Sequence, residues 1–388
     1  MGSYLNPGSK GFQESLNSEI YVDKTGLIEK TNAVLNTRQK FICVSRPRRF
    51  GKSMAADMLA AYYDRGENSA SLFSSLKIHY VSSYQQHLNQ YDVIKVNMQD
   101  FLSMTHSMDE MLTMLQKYLV LELTRSFPNT AFFDKNNLIQ MMRDIYAETN
   151  RSFIVLIDEW DCLFREYQHD TAAQKQYLDF LRSWLKDKDY VALAYMTGIL
   201  PIKKYGSHSA LNMFYEYSMT APGEFAPYFG FTEKEVFDAL DEVNMSNEKA
   251  AVKEWYDGFT FGDVKDIYNP WSIINYLQTG KIDSYWTDSS SNGIVNKLIK
   301  TGTPDVKEAM AVLISGGVIE KKIDEQIVFD QLDKNEDAIW SLLLASGYLC
   351  IESYKEVGRL KRKIYGLKLT NLEVERMFEV MIEQWFGE

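Results

Sequence analysis

Gly51, Lys52 and Ser53 follow a short basic loop and form the first group of residues in this chain that could do chemistry. A lysine and backbone N–H groups at the start of a helix can hold phosphate, and a hydroxyl beside them can ligate Mg²⁺. The apolar run 41–44 predicts a buried parallel strand before the loop, and the pattern of 53–62 predicts a helix after it. Strand, loop and helix in this order predict a phosphate-binding loop.

The general motif G-x-x-x-x-G-K-[ST] has glycine at the position that Arg46 occupies in this chain. Glycine permits a close turn there, whereas Arg46-Pro47 fixes φ at Pro47 and removes one N–H that could meet phosphate. The alternative is a basic loop that only precedes an amphipathic helix. The residues predicted to contact the nucleotide phosphates are Arg49, Phe50, Gly51, Lys52, Ser53 and Met54.

Five apolar residues, 153–157, run directly into Asp158 and Glu159. A buried strand would carry Asp158 to the C-terminal edge of a parallel sheet, where it can hold Mg²⁺ beside Ser53. Glu159 can then orient the attacking water. The alternative is a strand that ends in a solvated acidic turn. Together, the two motifs predict a P-loop ATPase that uses ATP and Mg²⁺, with Lys52 and Glu159 as catalytic residues.

These motifs and three further segments resemble those of the bacterial AAA-ATPase-like family. Its members are P-loop ATPases of the AAA+/STAND group and often precede a PD-(D/E)XK nuclease domain. The segments are YVDKT at 21–25, SRPRRFGKS at 45–53, IDEWD at 157–161, TGILPIKK at 197–204, and WYDGFTFG with YNPWS between 255 and 272. The resemblance covers nearly the whole chain. Arg46 is similar to the family's own form of the loop.

The resemblance implies roles that the two motifs alone do not give. Thr197 is implied to sense the γ-phosphate and the attacking water, with capping of the following turn as the alternative. Pro270, with Trp271 beside it, is implied to touch adenine, with an ordinary helix start as the alternative. Residues 21–23 are implied to contact adenine, or they pack as part of an N-terminal arm. Arg165 and Arg182 are candidates for an arginine that reaches a neighbour's γ-phosphate.

The predicted fold class is α/β, with a P-loop parallel sheet flanked by helices, then a helical lid and a winged-helix-like C-terminal domain. The predicted domains are an N-terminal arm (1–32), the P-loop core (33–222), the lid (223–300) and the C-terminal domain (301–388). Further strands are predicted at 91–98, 190–196 and 213–219, and a hairpin at 348–354 and 363–369. Residues 4–19 predict turns, and Thr370-x-x-Glu373 predicts the start of the last helix.

Composition excludes several classes of protein. The chain has 388 residues, a formal charge of −11 and 45% hydrophobic residues, which argues against a surface adapted as a whole to nucleic acid. Its three cysteines are widely spaced, and no pair of histidines has ligand-like spacing, so neither a disulfide framework nor a zinc site is supported. No apolar run approaches the ~18 residues of a membrane span. We therefore expect a cytoplasmic protein without a membrane partner.

The sequence contains a partial match to the motif of a nuclease centre, but its context does not support one. Pro304-Asp305 and Glu320-Lys321-Lys322 match the bare PD…ExK string, but the first pair is predicted to begin a helix and not a strand of a hairpin. The chain ends about where the family's nuclease domain would start, so it is either truncated there or lacks that domain. Basic residues in the turn 355–363 could meet a nucleic-acid backbone, with a solvated hairpin as the alternative.

The sequence thus predicts Mg²⁺-dependent ATP binding and hydrolysis that is coupled to a conformational change or a partner domain. One alternative is a nucleotide-gated scaffold with little turnover that regulates a nuclease. A small-molecule phosphotransferase is disfavoured, because Glu159 beside Asp158 is the hydrolytic arrangement. The partner predicted first is a nucleotide; homo-oligomerisation, a nuclease domain or partner, and nucleic acid are left open.

Overall fold

The computed structural model describes residues 2–202, 211–289, 293–324 and 335–387, with the side chains of 289, 293, 294 and 384–387 outside the description. The chain divides into two compact units. The first comprises Met1–Val44, Lys52–Gly198 and Ile202–Tyr217. The second comprises Ser45–Gly51, Ile199–Pro201 and Ser218–Glu388. The boundary therefore falls within the predicted phosphate-binding loop.

The first unit is built on a five-stranded parallel sheet of order β2-β3-β4-β1-β5. Three of its strands, β1, β3 and β4, are buried at every residue because helices cover both faces of such a sheet. This burial on both faces explains why the sequences of these strands are continuous apolar runs. The strands are β1 (Phe41–Ser45), β2 (Asp92–Asn97), β3 (Phe153–Asp158), β4 (Val191–Gly198) and β5 (Tyr215–Tyr217).

Ten helices are described in the first unit, and those beside the sheet present one apolar face to it. In the longest of them, residues three or four apart, from Met108 to Leu123, are buried, and the Ser107 hydroxyl caps its first turn by accepting from the Glu110 N–H. The helices are α1 (Lys10–Leu16), α2 (Gly26–Val34), α3 (Lys52–Tyr63), α4 (Ala70–Phe73), α5 (Tyr84–His87), α6 (Met98–Ser103), α7 (Met108–Ser126), α8 (Leu138–Thr149), α9 (Cys162–Glu166) and α10 (Thr171–Leu185).

The second unit contains helices and two three-stranded sheets, β6-β8-β7 and β10-β11-β9, whose strand pairs are antiparallel. Its helices are α11 (Glu233–Glu242), α12 (Lys249–Tyr256), α13 (Pro270–Thr279), α14 (Trp286–Ser289), α15 (Gly293–Lys300), α16 (Pro304–Ile314), α17 (Glu336–Ala345) and α18 (Leu372–Gly387). Its strands are β6 (Phe231–Thr232), β7 (Phe259–Phe261), β8 (Val264–Tyr268), β9 (Ile319–Lys321), β10 (Leu349–Val357) and β11 (Arg362–Leu369).

This architecture confirms the predicted fold class. The hairpin β10-β11 follows helices, as expected, and Asp305 lies in the first turn of α16 while Glu320 lies in β9. All three cysteines are buried thiols. No helix in the described residues is both long and apolar enough to span a bilayer. The four predicted domain ranges stay a prediction.

Two local predictions are wrong. Residues 10–16 form helix α1 instead of turns, because Phe12 is buried and stacks on Phe73 with ring centroids 5.0 Å apart. The last helix does not begin with a Thr370 capping box. Asn371 caps it by accepting from the Val374 N–H, whereas the Thr370 hydroxyl donates to the Gly347 carbonyl.

Candidate phosphate and metal site

Helix α3 begins at Lys52, so this lysine and Ser53 occupy the end of the helix where backbone N–H groups lack partners within the helix. Lys52 is only 5% exposed. The Ser53 hydroxyl donates a hydrogen bond of 2.5 Å to Asp158 Oδ2. The loop motif and the acidic motif are thereby in direct contact, as the sequence predicts for a P-loop and its acidic strand.

Asp158 receives a second hydroxyl from the neighbouring strand. Ile157 of β3 pairs with Met196 of β4, which brings Thr197 beside Asp158. The Thr197 hydroxyl donates to Asp158 Oδ1 at 2.6 Å, and Asp158 is 3% exposed. Carboxylate and hydroxyl oxygens are the donors that Mg²⁺ prefers, so Asp158 with Ser53 fits that ion.

Glu159 begins the tight turn that follows β3. Its φ is +51°, in the left-handed region that few non-glycine residues adopt. The Glu159 N–H donates to Asp158 Oδ1 at 3.0 Å, and its carboxylate forms an ion pair with Arg165, Nη2 to Oε2, of 2.5 Å. The Glu159 backbone is thus bonded to Asp158, and its carboxylate to Arg165.

The charges around Lys52 act on its proton affinity. Burial lowers the pKa of the Lys52 ammonium, while the carboxylates of Glu159, Asp158 and Asp161 oppose that shift. The guanidinium of Arg165 adds to the lowering. A group of phosphate oxygens would favour the charged form of this lysine, since an opposite charge nearby stabilises an ammonium.

The preceding loop, Ser45–Gly51, belongs to the second unit. The Arg46 side chain is fully buried, with its guanidinium carbon 4.6 Å from the ring centroid of Phe261 and 5.3 Å from that of Phe229. Arg46 Nη1 also donates to the carbonyls of Ser45 and Ser218 at 2.7 and 3.2 Å. Arginine stands at this position because its side chain anchors the loop.

Phe50 anchors the other end of the loop. Its ring is buried, with centroids 4.8 Å from Phe259 and 5.6 Å from Phe261, and its carbonyl accepts from the Gly230 N–H at 3.2 Å. The predicted role of Phe50 in phosphate contact is thus restricted to its backbone. Gly51 follows with φ of +86°, a conformation that favours glycine.

Three further residues predicted to bind the nucleotide are Arg49, Met54 and Pro270. The Arg49 guanidinium lies 4.1 Å over the ring of Trp271, which is partly exposed and follows Pro270 at the start of α13. Met54 in α3 is about half exposed. Adenine contact by Pro270 stays a prediction, and so do the phosphate contacts of Arg49 and Met54.

Comparison with known proteins identifies the family of this chain. The family described as AAA-ATPase_like, Predicted AAA-ATPase, matches residues 8–207. The chain belongs to this family. It is also 24% identical over 368 residues to an uncharacterized protein in the vnfD 5′ region of Azotobacter chroococcum mcd 1, covering 92% of this chain. The chain spans 64% of that relative's length.

Solved structures of low identity are also similar to this AAA-ATPase-like chain. AMPPCP-bound DnaA from Aquifex aeolicus is 12% identical, with a TM-score of 0.32 and 84% of each chain covered. The Aeropyrum pernix ORC1 protein in complex with DNA is 12% identical, with a TM-score of 0.31 and 97% of each chain covered. The Aeropyrum pernix ORC2 protein, in its ADPNP-ADP complexes, is 10% identical, with a TM-score of 0.37 and coverage of 98% and 99%.

Sequence reasoning missed one carboxylate of the AAA-ATPase-like site. Asp161 is completely buried, and a Cβ atom at Gly198 would lie 2.6 Å from Asp161 Oδ1. Glycine at the end of β4 therefore leaves room for this carboxylate. Asp161 is the last residue of the IDEWD segment, so the sequence does mark it. Its spacing from Asp158 and Glu159 alone does not indicate a role.

Residues 21–23 have structural contacts within the first unit. The Tyr21 ring packs edge-on against Phe12 at 6.2 Å. Asp23 Oδ1 accepts from the Thr25 hydroxyl at 2.6 Å, and Asp23 Oδ2 accepts from the Lys77 N–H at 2.7 Å. These contacts favour packing of the N-terminal segment over the adenine contact that the resemblance implied.

Proposed function

We propose that this protein binds ATP with Mg²⁺ and hydrolyses it, and that the nucleotide state is coupled to a conformational change or a partner domain. The observation that carries the proposal is the joining of Ser53 and Thr197 on one buried carboxylate, Asp158. A hydroxyl at a helix N-terminus and an aspartate at a strand end form the usual metal side of a P-loop site. Membership of the Predicted AAA-ATPase family supports nucleotide binding.

Each site residue has a proposed role that follows from the chemistry of its side chain. Lys52 would hold the terminal phosphates with its ammonium, assisted by the backbone N–H groups at the start of α3. Ser53 and Asp158 would hold Mg²⁺, which when bound neutralises charge on the phosphates. Thr197 would report on the γ-phosphate through its hydrogen bond to Asp158.

Glu159 would act as the general base. The oxygen of a water molecule bonds to the γ-phosphorus, and the bond from that phosphorus to its bridging oxygen breaks, leaving its electron pair on ADP. The proton of the water passes to the Glu159 carboxylate. Asp158 is unsuited to this step, because both of its oxygens already accept hydroxyl donors.

A nucleotide-gated scaffold is the second candidate, and one observation favours it. One oxygen of the Glu159 carboxylate, Oε2, pairs with Arg165, and a neighbouring positive charge makes a carboxylate a weaker base. Such a protein would hold ATP or ADP and turn over little. We further propose a cytoplasmic location, since three buried thiols without a disulfide suit a reducing compartment.

Titration calorimetry with ATP and ADP, followed by a steady-state phosphate-release assay with Mg²⁺ and with EDTA, tests the proposal. We expect saturable ATP binding and phosphate release that requires Mg²⁺. Binding without release under either condition would favour the scaffold. An absence of nucleotide binding would contradict both candidates.

A further inference from the structure

Arg49 adopts a backbone conformation that is unusual for its residue type. Its φ is +68°, in the left-handed region, and it forms a turn with Arg48 inside the loop Ser45–Gly51. Of the ten non-glycine residues with positive φ in the described part of the chain, seven are asparagine or aspartate, whose short side chains tolerate this region. Arginine lacks that local compensation, so contacts with other segments must hold Arg49 in this conformation.

Trp271 provides such a contact. The Arg49 guanidinium carbon lies 4.1 Å from the centroid of the Trp271 ring. This distance is well inside the ~6 Å range of a cation–π interaction, and tryptophan is the aromatic residue that binds a cation best. Trp271 is 37% exposed, so its ring packs partly against the protein and partly faces water. Both residues belong to the second unit, so the contact lies within one compact body.

The start of α13 also holds the neighbouring loop residue. Asn269 is buried, and its Oδ1 accepts from the Trp271 N–H at 2.9 Å while its Nδ2 donates to the Arg48 carbonyl at 3.4 Å. The indole N–H of Trp286 donates to the same carbonyl at 3.2 Å. Two successive residues of the turn are therefore bonded to the segment 269–271 or packed on it.

The turn needs these contacts because burial does not fix it. Arg46 and Phe50, on either side of the turn, are buried against aromatic rings of the second unit. Arg48 and Arg49 between them are exposed. The backbone of the turn therefore depends on its contacts with the start of α13.

The conformation of this turn determines where its backbone N–H groups point. Successive N–H groups in a turn that passes through the left-handed region converge on one side and form a concave anion-binding site. In the proposed function the anion is a nucleotide phosphate, since Gly51 and Lys52 follow directly along the chain. If Arg49 left the left-handed region, the adjoining peptide groups would rotate and their N–H groups would no longer converge.

We propose that Trp271 is a positioning residue for nucleotide binding, which holds the phosphate-binding loop in its binding conformation by stacking on Arg49. The inference rests on the proposed function. It gives Trp271 a role other than the adenine contact that the resemblance implied. The Arg49 guanidinium need not touch the phosphates in this role, because the phosphates are bound by the backbone that it helps to hold.

Titration calorimetry with ADP on the full chain tests the inference. Trp271→Ala should weaken ADP binding about 3- to 10-fold, because a cation–π contact no longer offsets the cost of the left-handed conformation. Trp271→Phe keeps a ring and should lie between Trp271→Ala and the parent. Gln278→Ala, an exposed change on α13, is the control and should match the parent.

Substitutions of Arg49 distinguish a backbone role from direct phosphate contact. Glycine adopts the left-handed region without the steric cost that alanine incurs. Arg49→Gly should therefore bind ADP about 3-fold or more tightly than Arg49→Ala, although both variants lack the guanidinium. Equal losses of affinity in the two variants would mean that the guanidinium itself binds phosphate, and the inference would be wrong.

A double substitution excludes the adenine contact. In the Arg49→Gly chain no guanidinium is left for Trp271 to hold, so adding Trp271→Ala should change the Kd for ADP less than about 2-fold. A 3- to 10-fold loss that persists in this background is the result expected of a contact between Trp271 and the base, and it would also overturn the inference.

Failure of the inference differs from failure of the proposed function. If the parent binds ADP and Trp271→Ala binds it equally well, the inference fails and the proposed function stands. If the parent binds no nucleotide, both fail. Thermal melts without nucleotide check the fold of each variant. If Trp271→Ala does not fold, the comparison of Arg49→Gly with Arg49→Ala, at an exposed position, decides the question.

Discussion

The Ser53 hydroxyl donates a hydrogen bond of 2.5 Å to Asp158 Oδ2, although 105 residues separate the two in the sequence. The contact exists because β1 and β3 are parallel strands of one sheet, and the carboxyl ends of such strands lie at the same edge. Ser53 and Asp158 would hold the metal ion, and Lys52 directly precedes Ser53 at the start of α3.

Lys52→Ala should abolish ATP binding and leave the fold intact. The change removes the ammonium that faces the phosphates, and alanine is a good residue for a helix start. A ligand at 100 times its Kd adds about 2.7 kcal/mol to stability, so thermal melts should rise with ATP for the parent only. Lys175→Ala, an exposed lysine of α10, is the control and should keep the shift. Equal ATP-induced shifts in Lys52→Ala and the parent would contradict the phosphate-loop assignment.

Nucleotide affinity should fall at alkaline pH. Burial lowers the pKa of Lys52 below its ordinary 10.5 in the free protein, and bound phosphates would raise it again. Between these two pKa values, binding takes up a proton, so the Kd for ADP rises as the pH increases through the free-protein pKa. Measurements above about pH 8, where phosphate is fully ionised, separate the titration of the lysine from that of the phosphates.

Calorimetry of ADP binding in two buffers of different ionisation enthalpy measures this proton uptake directly. An affinity that stays constant from pH 8 to 10, with equal apparent enthalpies in both buffers, would show that Lys52 does not change its protonation on binding.

Arg46→Gly, which restores the general motif, should destabilise the protein. The change removes a buried guanidinium that lies over two aromatic rings and donates to the Ser218 carbonyl, and glycine adds backbone freedom to the unfolded chain. We expect a loss of about 2–4 kcal/mol in urea unfolding. Arg48→Ala, whose side chain is exposed in the same loop, should cost less than about 0.5 kcal/mol. If Arg46→Gly is as stable as the parent, Arg46 does not anchor the loop.

Much of the site follows from sequence because its signals are local. The apolar runs of β1 and β3 identify buried parallel strands, and the residues after them then share one sheet edge. The position of the Arg46 side chain, in contrast, depends on residues that are distant in the sequence. Its partners, Phe229 and Phe261, belong to segments far along the chain, and no periodic pattern marks a pairing of this kind.

Buried polar contacts are also hard to predict. Glu373 was expected to cap its own helix, but its carboxylate accepts from the Tyr285 and Trp286 N–H groups at 2.7 and 2.6 Å and from the Ser272 hydroxyl at 2.8 Å. It therefore caps the start of α14. Spacing along the sequence cannot distinguish these two uses of one carboxylate, because tertiary packing decides which N–H groups reach it.

Asp257→Asn should stabilise the protein above neutral pH. Burial, followed by the hydrogen bond and charge of Asp266, raises the pKa of Asp257 to about 7, although Lys253 lies 3.7 Å away. Glu233 and Tyr268 also face this group. A folded-state pKa above the unfolded value of 3.8 means that the protonated form stabilises the fold, and this contribution is lost as the pH rises from about 4 through 7.

We expect Asp257→Asn to unfold with about 1–2 kcal/mol more free energy than the parent at pH 8, after allowance for solvent screening, and with equal free energy at pH 4. Asparagine keeps the oxygen that accepts from the Gly258 N–H. Glu254→Gln, an exposed change on α12, is the control and should leave the free energy of unfolding within about 0.5 kcal/mol of the parent at both pH values. A constant difference at both pH values would mean that Asp257 does not titrate in this range.

The most direct measurement of the central claim is phosphate release by Glu159→Gln under saturating ATP and Mg²⁺. Glutamine keeps the size of the side chain and removes the base, so kcat should fall by about 10²-fold or more while ATP affinity changes little. Glu166→Gln, an exposed change on the same helix as Arg165, should match the parent. A Glu159→Gln protein that releases phosphate as fast as the parent would contradict the account.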